Sequence, residues 1–188
     1  KLVTAQYRCL NDEIIPDLKA AGVRLHDVDN APPALQAWAR DYFLSNVLPV
    51  LTPVGLDPAH PFPRVQNKSL NFIVELDGTD AFGRSNPYAL VQAPRALPRL
   101  IEVPRTVVQE SKGRDFILLT GVMKTNIADL FEGMTVVRCH PFRVTRNSDL
   151  WINEDEADDL LSAVAGELSN RHYGDAVRLE VGIDSTPE

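Results

Sequence analysis

Prolines constrain this chain most strongly over residues 49–64, which read PVLTPVGLDPAHPFPR. Each proline lacks a backbone N–H and holds the residue before it in an extended conformation. The segment therefore cannot continue a helix or lie in the centre of a sheet. We expect a rigid connection between folded elements, with at most one short strand at a sheet edge.

Apolar spacing predicts two helices before this connection, separated by an extended piece at residues 23–25. The first helix ends at Gly22, and Pro16 is expected to kink or break it. Asn30 is the expected N-cap of the second helix, which begins at Pro32 or Pro33. The apolar stripe of the first helix consists of Tyr7, Leu10, Ile14, Leu18 and Ala21.

Alternating apolar residues predict mainly β-strands after the connection, with a hairpin near its start. Two further helices are expected, one over 120–131 and one that begins at Asn153 with a cap-like Asn and Glu pair. This order indicates an α+β fold in which a mixed, mostly antiparallel sheet packs with several helices. The expected strands cover residues 70–76, 88–92, 100–103, 116–119, 135–145 and 177–181.

Composition restricts the class of protein. Nineteen basic and 26 acidic residues give a net charge of −7 over 188 residues, and 44% of residues are hydrophobic. That balance is typical of a globular chain and disfavours a dedicated nucleic-acid-binding protein. No apolar run reaches the roughly 18 residues of a membrane span, and no secretory leader begins at Lys1. We expect a cytoplasmic chain, and the missing initial methionine favours a piece of a longer protein.

The cysteines and histidines form no recognisable metal or catalytic motif. Cys9 and Cys139 are too few for a disulfide framework and are expected to be small buried residues in a reducing compartment. The chain has no GxxxxGK[ST], GxGxxG, HExxH or GxSxG pattern, which disfavours a metal site and a nucleotide site built wholly within this chain. The histidines are His26, His60, His140 and His172.

Two histidines precede Pro-Phe, in HPFP at His60 and HPFR at His140. Each could carry a proton or accept a phosphate, but a histidine held in a rigid turn or strand end by the following proline is the favoured interpretation. Cys139 and His140 are neighbours on a predicted strand and should point to opposite faces. The acidic residues 154–159 are interpreted as the solvated start of a helix.

The most distinctive cluster is RCHPFRVTR at residues 138–146, which contains three arginines and no acid. Arginine suits bidentate phosphate contacts. Strand alternation places Arg138 and Arg143 on opposite faces unless a bulge at Pro141 resets the register. Two hypotheses remain open: Arg143 and Arg146 bind an anion, or they pair with the acid-rich segment 149–159.

Long sequence blocks in matching order resemble the middle, or head, region of the type 1 polyphosphate kinases. The resemblance covers nearly the whole chain. Its blocks are FLSNVLPVLTPVGLDPAHPFPRVQNKSLNFIVEL, LFEGM, HPFRVTRNSDLWINEDEADDLL and ELSNRHYGDAVRLEV.

The resemblance implies an enzyme that reversibly moves the terminal phosphate of ATP onto inorganic polyphosphate, through a phosphohistidine and with Mg²⁺. Residues 1–22 would be the last helix of a helical N-terminal domain. Residues 23–188 would be the head domain, truncated at its C-terminal end. The catalytic histidine and most nucleotide and metal ligands of the family lie in two C-terminal domains, which this chain does not reach. No catalytic residue is carried over, and none of the four histidines is assigned as the phosphohistidine.

The implied role of the head domain is to shape a polyphosphate tunnel and contribute to a dimer. Arg143 and Arg146 match a recurrent FRVTR-type stretch and are the candidate polyphosphate contacts. The expected partners are the other domains of the same enzyme, a second copy of that enzyme and inorganic polyphosphate. ATP and Mg²⁺ are expected in the parent enzyme, which acts in the cytoplasm or associated with a membrane, and not in this fragment alone. The alternative is a stand-alone polyanion-binding module.

Overall fold

The computed structural model describes residues 1–57, 59–80, 83, 86–109, 112–147 and 174–182. The chain divides into two compact units, and each is formed by two separate stretches of sequence. The first unit contains Lys1–Val50 and Ala96–Asp129, and the second contains Leu51–Arg95 and Leu130–Glu188.

The first unit begins with the predicted helix. Helix α1 spans Leu2–Cys9 and α2 spans Ile15–Ala20, with a π-helical turn between them at Leu10–Ile14. This turn ends two residues before Pro16, which lacks the donor that an unbroken α-helix needs there, so the expected break takes the form of a π-turn. No residue of these three elements is buried.

Two more helices supply the apolar core of the first unit. Helix α3 spans Pro33–Tyr42 and continues into a π-helical turn at Phe43–Val47. Helix α4 spans Leu119–Asn126, continues as a 3₁₀ turn at Ile127–Leu130 and lies against α3. Their fully buried apolar side chains include Leu35, Ala39, Phe43, Val47, Val122 and Met123.

A three-stranded sheet completes the first unit. Strand β1 spans Val23–His26, β5 spans Leu100–Val103 and β6 spans Arg114–Leu118, in the order β1-β6-β5. Strands β5 and β6 are antiparallel, whereas β1 and β6 are parallel. A Cβ on Gly113 would overlap the carbonyl oxygen of Gly22, so the approach of these two segments requires glycine at position 113.

The second unit is built on a five-stranded antiparallel sheet in the order β2-β4-β3-β7-β8. Strand β2, Pro53–Gly55, lies in the proline-rich connection and at the sheet edge, as predicted. The other strands are β3 (Asn71–Gly78), β4 (Tyr88–Gln92), β7 (Met134–Arg146) and β8 (Ala176–Val181). Leu90, Val65 and Val144 form a buried cluster, against which Leu56 and Phe142 pack.

The described residues confirm the α+β class and correct several expectations. The strands belong to two sheets, one in each unit, where the sequence analysis expected one. Asn30 does not cap α3, because its side chain donates to Asp27 Oδ2 at 2.6 Å while Pro32 occupies the N-cap without a side-chain bond. Cys9 is exposed and Cys139 is half-buried, so neither is the buried residue expected. The helix expected from Asn153 lies outside the described residues.

Candidate functional site

Strand β7 carries both candidate polyphosphate contacts near its C-terminal end. It is hydrogen-bonded to β3 on one side and to β8 on the other, and Arg143 lies opposite Glu180 of β8. The register with β3 is continuous from Arg138 to Phe142, so the bulge considered at Pro141 is not there. The register shifts lie instead between Glu75 and Leu76, opposite β7, and between Thr145 and Arg146.

The three arginines of the cluster do not form one surface. Arg138 and Arg143 are five positions apart on a continuous strand and therefore point to opposite faces. Arg138 pairs with Glu75 across the strand at 3.4 Å. A register shift between Thr145 and Arg146 separates Arg146 from Arg143. The two candidate residues bond different partners.

Arg143 belongs to a cross-strand group with Glu180 and Arg178. Its Nε donates to Glu180 Oε2 at 2.6 Å, while Arg178 Nη2 lies 2.8 Å from Glu180 Oε1. Hydrogen bonding from Arg143 holds the pKa of Glu180 below its usual range, and the charges of Arg143 and Arg178 act in the same direction. Two half-exposed guanidinium groups share the Glu180 carboxylate. Guanidinium groups suit bidentate contacts with phosphate.

Arg146 instead binds backbone. Its Nε donates to the carbonyl of Val65 at 2.9 Å, and its Nη1 donates to the carbonyl of Gly174 at 2.8 Å. Its own N–H donates to Asn67 Oδ1 at 2.9 Å. The side chain is half-buried and joins the segment before β3 to the segment before β8. Arg146 therefore stabilises the chain path around the end of β7.

Two of the histidines are hydrogen-bonded to aspartates. His26 Nε2 lies 2.7 Å from Asp115 Oδ1, and the Asp115 side chain is buried. His60 Nδ1 lies 3.1 Å from Asp57 Oδ2. The N–H of Ala59 donates to the same aspartate, and this bond, followed by that from His60, lowers the pKa of Asp57. These bonds agree with the interpretation of His60 as part of a rigid turn.

The remaining motif residues form no catalytic arrangement in the part of the chain that is described. His140 faces Ile73 in the β3–β7 register and Cys139 faces Val74, so these neighbours point to opposite faces as expected. His172 lies outside the described residues. Within the ranges described, no group of three or more His, Cys, Asp or Glu side chains could hold a metal ion.

The residues around Arg143 and Arg146 that were not identified from the sequence are Glu180, Arg178, Asn67 and Gly174. The alternation of charged and apolar residues along 177–181 could have placed Arg178 and Glu180 on one face. The register with β7 could not be read from that alternation, because 37 residues separate Arg143 from Glu180.

Among the described residues, every helix is too short or too polar to cross a bilayer.

A family model described as the polyphosphate kinase middle domain matches residues 34–188. Curated relatives named polyphosphate kinase match the whole chain or nearly all of it. The polyphosphate kinase of Burkholderia multivorans is 50% identical over 188 residues, which are 100% of this chain and 27% of that protein. The polyphosphate kinase of Paraburkholderia phytofirmans is 50% identical over 185 residues, 98% of this chain and 27% of that protein.

A solved structure supports the fold. The crystal structure of polyphosphate kinase from Porphyromonas gingivalis superimposes with a TM-score of 0.65 at 24% identity. The match covers 91% of this chain and 28% of the solved one. The chain thus spans about a quarter of the length of the proteins that it matches.

Proposed function

Since this chain belongs to the polyphosphate kinase middle-domain family, we propose that it is the non-catalytic middle part of an enzyme that moves the terminal phosphate of ATP onto inorganic polyphosphate. In the intact enzyme this part would shape the path of the polyphosphate and contribute to contacts between two copies. A cytoplasmic location, with the intact enzyme able to associate with a membrane, belongs to the same proposal.

The observation that carries the proposal is the family match over residues 34–188, together with 50% identity along the whole chain to proteins named polyphosphate kinase. The matched relatives are nearly four times as long as this chain, since it covers 27% of them. Their remaining length offers room for the domains that would hold the phosphohistidine, ATP and Mg²⁺. The boundary at residue 22, between the end of an N-terminal domain and the middle domain, remains a prediction.

The described side chains do not fit a Mg²⁺ site, because no three acidic or imidazole groups converge among them. The proposed role therefore routes no chemical step through a metal bound by this chain. His26 and His60 are each hydrogen-bonded to an aspartate. These bonds suit a structural role for the two histidines better than phosphate transfer. ATP and Mg²⁺ are assigned to the parent enzyme.

An activity assay tests the proposal directly. The purified 188-residue chain, incubated with ATP, Mg²⁺ and a polyphosphate primer, should make no polyphosphate. The parent enzyme, which contains the chain, should make it under the same conditions. Radiolabelled ATP should leave no acid-labile phosphate on any histidine of the fragment. ATP-dependent polyphosphate synthesis by the fragment, or label on one of its imidazoles, would contradict the proposal.

A second candidate function is binding of polyphosphate by the chain on its own. The observation that favours it is the group of Arg143, Arg178 and Glu180, in which two half-exposed guanidinium groups lie side by side on β7 and β8. Contacts between such groups and phosphate release counterions, so binding should weaken as salt increases.

Titration with long-chain polyphosphate at two ionic strengths tests this candidate. Arg143→Ala should weaken binding, and Glu180→Gln should strengthen it because the carboxylate charge between the two arginines is removed. Arg138→Ala is the matched control, since this arginine is also ion-paired on β7 but points to the other face. Absence of binding, or an equal loss in the Arg138 variant, would eliminate the candidate.

A further inference from the structure

Strand β8 forms one edge of the five-stranded sheet, and β2 forms the other. An edge strand exposes a row of backbone N–H and C=O groups that can pair with another strand. Strand β2 is poorly suited to such pairing, because it has only three residues and contains Pro53 and Gly55. Strand β8 has six residues, Ala176–Val181, with neither proline nor glycine. Among the described residues, no strand pairs with its outer edge.

The apolar side chains of β8 are exposed. Val177 is 64% exposed, Leu179 is 65% exposed and Val181 is 55% exposed. They lie at alternate positions and therefore share one face of the strand. Leu179 lies opposite Val144, which belongs to the buried cluster of this unit, so the apolar face continues from the core to the sheet edge. Another strand placed along β8 would cover part of this apolar surface.

The sequence of β8 is complementary to itself in antiparallel order. Residues 177–181 read VRLEV, with Leu179 at the centre, a basic residue before it and an acidic residue after it. If two copies of β8 paired about Leu179, Arg178 of each copy would lie opposite Glu180 of the other, and Val177 would lie opposite Val181. Opposite charges and apolar residues that face each other across strands stabilise a sheet, whereas like charges destabilise it.

The charges also select this register over its neighbours. A two-fold axis between antiparallel strands places each residue opposite a residue of the same face, so the nearest alternative registers are centred on Arg178 or on Glu180. Each alternative would place two like charges directly opposite each other at the axis. In the register centred on Leu179, both charges of each copy meet opposite charges.

The ion pairs within a single chain are compatible with this pairing. Glu180 accepts a hydrogen bond from Arg143 Nε of the neighbouring strand β7 at 2.6 Å, and Arg178 Nη2 lies 2.8 Å from Glu180 Oε1. The side chains of Arg178 and Glu180 are still 51% and 26% exposed. A second copy would therefore add a cross-strand partner to each group without burying an unpaired charge.

We infer that two copies of this chain join through β8 and thereby unite their five-stranded sheets into one continuous antiparallel sheet. Backbone hydrogen bonds between the two edges would supply the contact, and the side chains at 177–181 would fix its register. Such an interface is isologous, since the same residues of each copy form it around a two-fold axis. The inference rests on the proposed function in one respect, the contact between two copies, for which it names the surface.

Sedimentation velocity of the 188-residue chain over a range of concentrations tests the inference. An interface of one strand pair is smaller than the roughly 1,200 Å² of a stable complex, so we expect a reversible dimer with a dissociation constant on the order of 10–100 µM. The measurement contains neither ATP nor polyphosphate, so its result is independent of the activity test of the proposed function.

Substitutions at exposed apolar positions locate the interface. Leu179→Lys places two ammonium groups at the axis and should weaken the dimer at least about tenfold. Leu179 is exposed, so the fold of the single chain should tolerate the change, and circular dichroism checks this. Val137→Lys is the matched control, because Val137 is also an exposed apolar residue but lies on β7, away from the sheet edge. It should leave the dissociation constant unchanged.

A mixing experiment tests the register. Arg178→Glu would place acidic residues opposite each other, and Glu180→Arg would do the same with basic residues, so each variant alone should dimerise at least about tenfold more weakly. An equal mixture of the two variants should form a heterodimer, because the two substituted residues would face each other and Arg178 of one copy would still face Glu180 of the other. Urea unfolding shows whether loss of the bond to Arg143 disturbs the Glu180 variant, and the Leu179 variant tests the interface without that change.

Three results would overturn the inference: a chain that stays monomeric up to about 500 µM, a dimer that Val137→Lys weakens as much as Leu179→Lys does, or charge variants that associate no better mixed than alone. A monomer would mean that another segment of the chain or of the parent enzyme covers β8. A dimer that is unaffected by every β8 substitution would have its contact elsewhere, and the proposed function would still stand.

Discussion

Replacing Arg146 should cost this chain far more stability than replacing Arg143, although sequence analysis treated the two alike. Arg146 donates from Nε and Nη1 to the carbonyls of Val65 and Gly174, and its side chain is half-buried. Arg146→Ala would remove both bonds and leave two backbone acceptors to be satisfied by water. Arg143 is half-exposed and bonds a side chain that Arg178 also holds.

The contacts give the expected magnitudes. A hydrogen bond from a charged donor contributes about 1.5–3 kcal/mol, and partial exposure brings two of them to about 2–3 kcal/mol together. An exposed ion pair contributes about 0.2–1 kcal/mol. Arg146→Ala should therefore lower the free energy of unfolding by about 2–3 kcal/mol and Arg143→Ala by less than about 1 kcal/mol.

Urea unfolding followed by far-ultraviolet circular dichroism measures both effects. The midpoint of unfolding should fall for Arg146→Ala, while the dependence on urea concentration stays that of the original chain. The unfolding midpoint of Arg146→Lys should lie between those of the original chain and Arg146→Ala, because an ammonium does not reproduce the planar fork that reaches both carbonyls. A loss below about 0.5 kcal/mol for Arg146→Ala, or equal losses for the two alanine variants, would refute the reasoning.

Three other variants or conditions give separate tests. Arg143 lowers the pKa of Glu180 in the folded chain, so the ionised carboxylate stabilises the fold. This stabilisation is present above the ordinary carboxyl pKa of 4.5 and is lost as pH falls through the folded value. Between pH 7 and pH 3, the unfolding temperature of Arg143→Ala should therefore fall less than that of the original chain. Gly113→Ala should lower the free energy of unfolding in urea by at least about 3 kcal/mol, because its Cβ would overlap a backbone carbonyl. The control Gly83→Ala should lower it by about 1 kcal/mol, because its Cβ would have nothing within 4 Å and only the φ of +74° is unfavourable. Leu90→Ala should cost about 2–5 kcal/mol, because Leu90 is fully buried, and Leu90→Met should cost less than about 1.5 kcal/mol in the same assay.

Elements with local signals were predictable from the sequence. The apolar stretches 88–92 and 100–103 match strands β4 and β5 in both bounds, and prolines lie close to the start or end of each. Strand β3 continues through Asp77 and Gly78, where a turn was expected, because Gly78 still pairs with Met134 of β7. Local composition could not show this pairing, since it depends on a strand more than 50 residues away.

Long-range arrangement was not predictable in the same way. Strand β1 pairs in parallel with β6, which lies about 90 residues later in the chain. The two strands are not joined by a hairpin turn, so the local sequence does not indicate that they pair. The division into two sheets follows from that pairing, and the sequence analysis expected one sheet. The failed cap at Asn30 has a local cause: the side chain bonds Asp27, and the N-cap of α3 is Pro32, two residues after Asn30.

Strand alternation predicted part of the candidate site correctly. It separated Arg138 from Arg143 by face, and the continuous register confirms that separation. It could not identify Glu180 or the carbonyl of Val65 as partners, because 37 and 81 residues separate them from the arginines that they bind. Charge content alone therefore could not distinguish a surface guanidinium from one that holds backbone.

This distinction determines how loss of polyphosphate binding should be interpreted. Arg146→Ala is expected to disturb the segments at Val65 and Gly174, so weaker binding in that variant would follow from altered structure even if Arg146 never touched phosphate. Arg143→Ala leaves those segments held and changes mainly surface charge. A loss that appears with Arg143→Ala, at unchanged unfolding free energy, and not with Arg138→Ala would therefore identify a direct contact, because Arg138 is also ion-paired on β7 but lies on the opposite face.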